Sequence, residues 1–316
     1  MREYILKKIA LMFVVMFGVY TIVFILCIAA PGDPARLAMG RRDNPEARDI
    51  LREKWGLNDP VHVQFYKTLI SIVTFDFPTS FRYRENVGDL VLARLPRTIF
   101  LGVIAIGVSV LIAIPAGIVS AYRHNSIIDN ITMVASQVGV ATPNFWLGLM
   151  LIVVFYTKLG MFEIGAPDTL LSLDGFSKVI LPAVTLGTGM AAITARLTRS
   201  SMLGVIREEY IMTARAKGLT ERVVILKHAF RNALLPVITV VGLQFPLIVG
   251  GAVITEAVFG WHGLGQLYIS SIASRDYPVI VTTTLIFAFG VVVINLIVDL
   301  LYSVIDPRVE FEKVTA

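Results

Sequence analysis

The chain has 316 residues, of which 56% are hydrophobic and 16% charged, and its mean hydropathy is +0.75. Soluble domains hold about 45–50% apolar and about 25% charged residues, so this balance excludes an ordinary soluble fold and indicates a membrane protein. The formal net charge of +5 is read as basic loop residues that orient a membrane protein, not as a nucleic-acid surface. The single cysteine, Cys27, excludes an internal disulfide.

The first apolar run, 9–30, follows Arg2, Lys7 and Lys8 as a signal sequence would. It is longer than the ~7–15 apolar residues of a signal peptide and fits a retained span. PGDP at 31–34 stops it. In the loop that follows, 45–55 reads as helix, and 63–75 reads as an amphipathic segment able to lie on the outer surface. Five further runs are long enough to cross a bilayer: 98–121, 131–157, 180–203, 236–257 and 278–305. Helix is expected throughout, since a lone segment in lipid must satisfy its own backbone hydrogen bonds. The predicted fold is therefore all-α and polytopic: six transmembrane helices, with a partly helical external loop between the first two. Its division is 1–97, the first span and external loop, and 98–316, a five-helix core. Pro115, Pro143, Pro246 and the pair Gly250–Gly251 fall within spans and are read as kinks or close helix contacts rather than solute sites.

Orientation follows from Lys and Arg in the short loops. With the N-terminus inside, fourteen basic residues lie on the inner side, including Arg123, Arg196, Arg199, Arg308 and Lys313. Three, Lys158, Lys178 and Arg275, lie in the short outer loops. The 31–97 loop is of a length that crosses largely regardless of charge. Both termini are predicted to be cytoplasmic.

Chemistry-bearing residues are sparse. Glu256 falls at the outer end of the fifth run, and Asp299 lies near the inner end of the sixth. Asn295 and Asp299 share a helix face, where a polar clamp to a neighbouring helix or an inner Arg outweighs an ion contact. An ion-coupled carrier needs buried carboxylates or His relays near the midplane, and these are scarce. The sequence has no GxxxxGK[ST], HExxH or GxSxG, and His62, His124, His228 and His262 are scattered. No catalytic residue and no metal site are predicted, so uphill movement would need an external energy source.

The stretch TARAKGLTERVVILKHAFRNALLP, 213–236, stands apart as polar and basic between two apolar runs. Leu219, Val223, Leu226, Phe230 and Leu234 recur at helical spacing and define one apolar face. Thr220 is placed to cap that helix, with Glu221 in its first turn. A shorter helix is expected over 208–217, ended by Gly218, which can adopt positive φ. Two helices at an angle on the inner surface result. Physically, they fit either a helix lying in the lipid interface or a knob gripped by a soluble partner, with Thr213, Ala214, Ala216 and Gly218 small enough to let a groove approach.

ARAKGL followed by HAFRNALLP resembles the cytoplasmic coupling loop of binding-protein-dependent ABC import permeases, in the dipeptide/oligopeptide/nickel group. The resemblance covers nearly the whole chain: PGDPA at 31–35, EKWGLNDP at 53–60, LPRT at 95–98, LPAVTLG at 181–187 and ARLTRSSML at 195–203. It continues through GGAVITEAVFGW at 250–261, RDYP at 275–278 and NLIVDLLYSVIDPR at 295–308. Met212-Thr213-Ala214 stands where the broad family has Glu-Ala-Ala, with Glu209 nearby but out of register. VTFDFPTSF at 73–81 keeps Asp76 and Ser80 of an outer-loop pattern but not its glycines, and His262 stands where Pro is expected.

The resemblance implies one of two permease subunits of an importer in a prokaryotic plasma (inner) membrane. It also implies a homologous second permease, two ATP-binding-cassette subunits that carry the ATP and Mg, an extracytoplasmic solute-binding protein, and no cofactor on this chain. It places ATPase coupling in the loop at about 205–235, on Glu209, Thr213, Ala214, Arg215, Ala216, Lys217, Gly218, Leu219, Arg231 and Asn232. Ala214, Ala216 and Gly218 would seat in the ATPase groove. Leu219, Val223 and Phe230 would hold the helix to the membrane domain, and Arg215, Lys217 and Arg231 would orient it. Peptides are the first expectation for the solute, with nickel complexes, glutathione and oligosaccharides as alternatives. An ATPase-independent carrier or channel and a membrane scaffold are the rival classes.

Overall fold

A computed structural model describes residues 2–39 and 44–305. Arg308 and Lys313, with the end of the last motif, lie outside the described residues, as do the side chains of Pro246 and Asp299.

In chain order the helices are α1 (Arg2–Ala29), α2 (Pro34–Met39), α3 (Pro45–Lys54), α4 (Val61–Val73), α5 (Val87–Tyr122), α6 (Ile127–Ala141) and α7 (Asn144–Leu151). A π-helical stretch, Ile152–Lys158, extends α7. Then come α8 (Leu173–Ile206), α9 (Glu209–Ala216) and α10 (Glu221–Val223), which runs through a π-helical Val224–Ala229 into α11 (Phe230–Phe259). The series ends with α12 (Leu264–Ser274) and α13 (Tyr277–Ile305). No strand forms among the described residues, and all-α holds. Among the described residues five helices are long and apolar enough to cross a bilayer, or six if the bent pair, α6 with α7 and its extension, is one span.

In the run expected as one span over 131–157, the kink read at Pro143 is a sharp break: the two halves meet at 101°. Pro143 is the cause. It lacks an N–H, and its ring pushes Thr142 out of the helical region to φ −78, ψ 122. By contrast, α5 continues unbroken through Pro115.

One compact unit is formed by 1–98 and 262–293. In it Phe65, Leu69 and Ile72 of α4 pack on Tyr20, Phe24 and Cys27 of α1, and Tyr20 donates its hydroxyl to the Phe65 carbonyl at 2.6 Å. Asp33 of PGDP pairs at 2.9 Å with Arg52, the residue just ahead of EKWGLNDP. Asp276 of RDYP is fully buried and accepts from Ser80 Oγ at 2.5 Å and from the backbone N–H groups of Phe81 and Arg82, both at 3.1 Å.

The second unit is formed by 99–261 and 294–316. Leu101 and Ala105 of α5, Val179 to Met190 of α8, Ala252 of α11 and Trp261 make its main core. A seam of Ala113, Ala116, Ala191 and Ala195 brings α5 against α8. Small residues permit the close backbone approach by which helices associate in lipid. A Cβ on Gly117 would come within 2.5 Å of Thr198 Cβ and 2.8 Å of the Ala195 carbonyl oxygen. Gly260, at φ +65, ends α11 and its N–H satisfies the Glu256 carbonyl.

Candidate functional site

The two-helix knob expected between the fourth and fifth runs is present. The eight-residue α9 begins with Glu209, whose charge suits a helix N-terminus, and ends before Gly218 at φ +75. Nothing stands within 4 Å of where a Gly218 Cβ would be, so backbone conformation selects glycine there. Thr220 occupies the N-cap position of α10 in an extended conformation, but its side chain makes no capping bond. Instead Arg215 Nε reaches across the turn to Glu221 Oε1 at 2.8 Å, an exposed pair that joins the two helices and contributes little to stability.

The knob rests on a buried cluster: Ile211 and Ala214 from α9, Val224, Ile225, Ala229 and Ala233 from the α10–α11 helix, Ala121 from the end of α5 and Met202 from α8. This differs from the expected face. Leu219, Val223 and Leu226 are exposed, at 40%, 37% and 47%, and only Phe230 of the predicted anchors packs against the cluster. Ile225, Ala229, Ala233 and Val237 recur every four residues, so the helical period holds and the buried stripe lies one residue ahead of Leu226, Phe230 and Leu234. The alanines of that stripe carry little hydrophobic signal, so the larger side chains beside them define the apparent face.

The small residues also divide. Ala214, 7% exposed, faces the cluster and cannot line a partner's groove, because it sits three residues after buried Ile211 on the same face. Ala216 and Gly218 are exposed, as are Glu209, Met212, Thr213, Arg215, Lys217 and Leu219. Arg231 is exposed on the first turn of α11. Asn232 acts within the knob: its Nδ2 donates to Tyr210 Oη at 2.7 Å, which braces α11 against α9.

A polar clamp that the sequence reading did not assemble lies one turn from the knob's cluster. Asp129, buried near the start of α6, is held by both arms of Arg199 on α8: Nε to Oδ1 at 2.6 Å and Nη2 to Oδ2 at 2.7 Å. Ser120, next to cluster residue Ala121, donates to the same carboxylate. His124 Nδ1 lies 3.1 Å from Oδ2, and the Asn125 N–H donates to Oδ2 at 3.0 Å. A bidentate guanidinium–carboxylate pair fixes orientation as well as proximity. The ends of α5, α6 and α8 are thus tied where the knob attaches. A local signal exists in the sequence: Ser126 and Asp129 have the spacing of a capping box, and Ser126 Oγ accepts from the Asp129 N–H at 3.3 Å. The partner, Arg199, is 70 residues away and leaves no such trace.

In the other unit, His262 lies where Arg94, Arg97 and the surrounding protein act on it; burial first, then the two guanidinium charges, push its pKa below the ordinary imidazole value. Deep in the second unit, Gln244 Nε2 donates to Thr194 Oγ1 at 2.7 Å and to the Met190 carbonyl at 3.1 Å, joining α11 to α8. Among the described residues no three of His, Cys, Asp or Glu converge to hold a metal ion.

Apolar helices of spanning length, carrying an exposed two-helix knob packed on their ends, mark a multi-pass membrane protein. The chain belongs to the family of binding-protein-dependent transport system inner membrane components, which matches residues 113–311, with that family's N-terminal membrane component matching 1–102. It is a permease subunit of an ABC importer and an inner-membrane, multi-pass protein. It is 44% identical over 316 residues to the oligopeptide transport system permease protein AppB of Bacillus subtilis (strain 168), covering 98% of this chain and 100% of that one. It is 38% identical over 313 residues to the glutathione transport system permease protein GsiC of Escherichia coli (strain K12), covering 99% and 100%. Its fold is similar to that of the inward-facing MetNI methionine ABC transporter, with a TM-score of 0.55 and 19% identity over 69% of this chain and 96% of that one.

Proposed function

We propose that this permease subunit forms half of the translocation pathway of an importer for di- or oligopeptides, and that its 205–235 knob is the element through which ATPase subunits drive it. A homologous second permease completes the pathway, two ATP-binding-cassette subunits hold the ATP and Mg, and an extracytoplasmic binding protein delivers the solute. Both termini and the knob then face the cytoplasm, as the basic residues favour. The observation that carries the coupling role is the division of the knob into two faces. Ile211, Ala214, Val224 and Ala229 are packed on the ends of α5 and α8, while Met212, Ala216, Gly218 and Leu219 stand exposed beside Arg215 and Lys217.

A push on the outer face is transmitted to α5, α6 and α8 together, because the Asp129–Arg199 clamp ties their ends. ATP-driven closure of the partners switches access by favouring one of two arrangements of these rigid helices. The solute assignment rests on full-length likeness to an oligopeptide permease; the glutathione relative also takes a peptide in its name, glutathione being a tripeptide.

Gly218→Trp tests the coupling role. The variant subunit is expected to insert and assemble, while solute-loaded binding protein no longer stimulates ATP hydrolysis by the purified complex. Normal stimulation rejects the assignment. Calorimetry of the cognate binding protein with di- and oligopeptides tests the solute, and silence with every peptide rejects that part alone.

A further inference from the structure

A cavity of about 500 Å³ in the unit formed by 1–98 and 262–293 has two chemically distinct ends. Its floor comes from the last turns of α1 and the first turns of α13, through Phe24, Cys27, Tyr277 and Val281. These residues belong to apolar spanning helices and therefore sit at or near hydrocarbon depth. Its rim comes from the loop that follows α1 and carries Lys54, Lys67 and Arg84. One carboxylate, Asp59, also faces in, but Lys67 already pairs with it at 2.7 Å. Lys54 and Arg84 have no ion pair among the described residues, so the rim keeps a positive excess.

An apolar floor at membrane depth beneath a cationic rim matches an anionic amphiphile, not a free ion or a peptide strand. We propose that this cavity binds an anionic phospholipid of the surrounding leaflet, with its phosphate on Lys54 and Arg84 and the upper part of an acyl chain against Phe24, Cys27 and Val281. Continuity with the bilayer supports the source: on the same α1 helix Ile22, Ile25 and Leu26 turn apolar side chains outward, which gives the second chain its ordinary lipid contact. Cationic residues at the membrane surface favour anionic over zwitterionic headgroups. The bound lipid fills a wedge between α1, α13 and the loop helices and holds that unit's packing in place.

Cys27, the chain's one cysteine, lines the floor and supplies the readout. The whole complex is placed in nanodiscs of phosphatidylcholine alone or of phosphatidylcholine mixed with phosphatidylglycerol. Alkylation of Cys27 by N-ethylmaleimide is then followed by the mass of its peptide. Alkylation is expected on the order of tenfold slower with phosphatidylglycerol, and the double variant Lys54→Gln/Arg84→Gln is expected to react equally in both bilayers. Equal rates for the native complex overturn the proposal, as does protection that survives in the double variant. Inorganic phosphate added to phosphatidylcholine discs is expected to give no protection; full protection overturns the lipid as the source. Native mass spectrometry of the detergent-purified native complex gives a check that needs no variant. Retention of phosphatidylglycerol, lost on mild delipidation together with the slow alkylation, supports the site; slow alkylation persisting after delipidation overturns it.

Discussion

Arg199 grips both carboxylate oxygens of Asp129, at 2.6 and 2.7 Å, one turn from the cluster on which the knob rests. Removing one partner of a buried pair leaves the other charge uncompensated, which typically costs about 3 kcal/mol. Asp129→Ala is expected to lower the melting temperature of the complex and to lower solute-stimulated ATP hydrolysis with it. Arg199→Lys keeps the charge but loses the fork, so it is expected to fall between the two. The double variant Asp129→Ala/Arg199→Met, with neither charge left, is expected to recover part of the stability but not the coupling. Recovery of both would mean that the clamp acts only on stability.

The two faces of α9 give a sharper contrast. Ala214 is packed against the cluster and Ala216, two residues on, is exposed. Ala214→Leu is expected to overpack the cluster, cost about 1–3 kcal/mol and lower the melting temperature of the complex. Ala216→Glu is expected to leave assembly and melting temperature unchanged while reducing stimulated ATP hydrolysis severalfold, since the bulk and charge fall only on the partner's side. If the two variants behave alike, the division of the knob into a membrane face and a partner face is wrong.

The apolar runs of spanning length, the short helices Pro45–Lys54 and Val61–Val73 and the break at Gly218 were legible in the sequence, because hydropathy, helical period and positive-φ glycine each leave a local mark. Three features were not. The 101° bend lies inside a continuous apolar run, where hydropathy records depth in the membrane but not direction; Pro143 marked a kink there without its angle. The buried stripe of the knob runs through Ile225, Ala229 and Ala233, one residue ahead of Leu226, Phe230 and Leu234, because its alanines carry little of the apolar signal by which a stripe is counted. Asp129 with Arg199, and Ser80 with Asp276, are pairings across 70 and 196 residues that no local pattern encodes.

Asp276 organises the segment 80–82 through one carboxylate, accepting from Ser80 Oγ and from two backbone N–H groups. Each hydrogen bond to a charged group is worth about 1.5–3 kcal/mol, and the N–H of buried Phe81 is left unsatisfied if the acceptor goes. Asp276→Ala is expected to open this segment and make the peptide bonds after Arg82 and Arg84 sensitive to trypsin in the assembled complex. Ser80→Ala removes one of three donors and is expected to have a clearly smaller effect. Asp276→Asn keeps an acceptor oxygen and is expected to be intermediate. Equal trypsin resistance in all three variants would show that the segment is held by something other than this carboxylate.

Close approach of α5 to α8 makes a final prediction, resting on two glycines ten residues apart in one helix. A Cβ at Gly117 would lie 2.8 Å from the Ala195 carbonyl oxygen, a backbone atom that cannot swing aside, and 2.5 Å from Thr198 Cβ, which is fully buried. A Cβ at Gly107 would meet nothing within 4 Å. Gly117→Ala is therefore expected to push the helices apart along the alanine seam, cost about 1–3 kcal/mol and lower the melting temperature of the complex. Gly107→Ala is expected to leave it unchanged or raise it, because alanine loses less backbone entropy than glycine in a helix. The pair separates packing from helix propensity: both variants add the same methyl group to the same helix, and only the contact with α8 differs. A melting temperature that moves the same way in both would rule out the Gly117 contact as the closest constraint between α5 and α8.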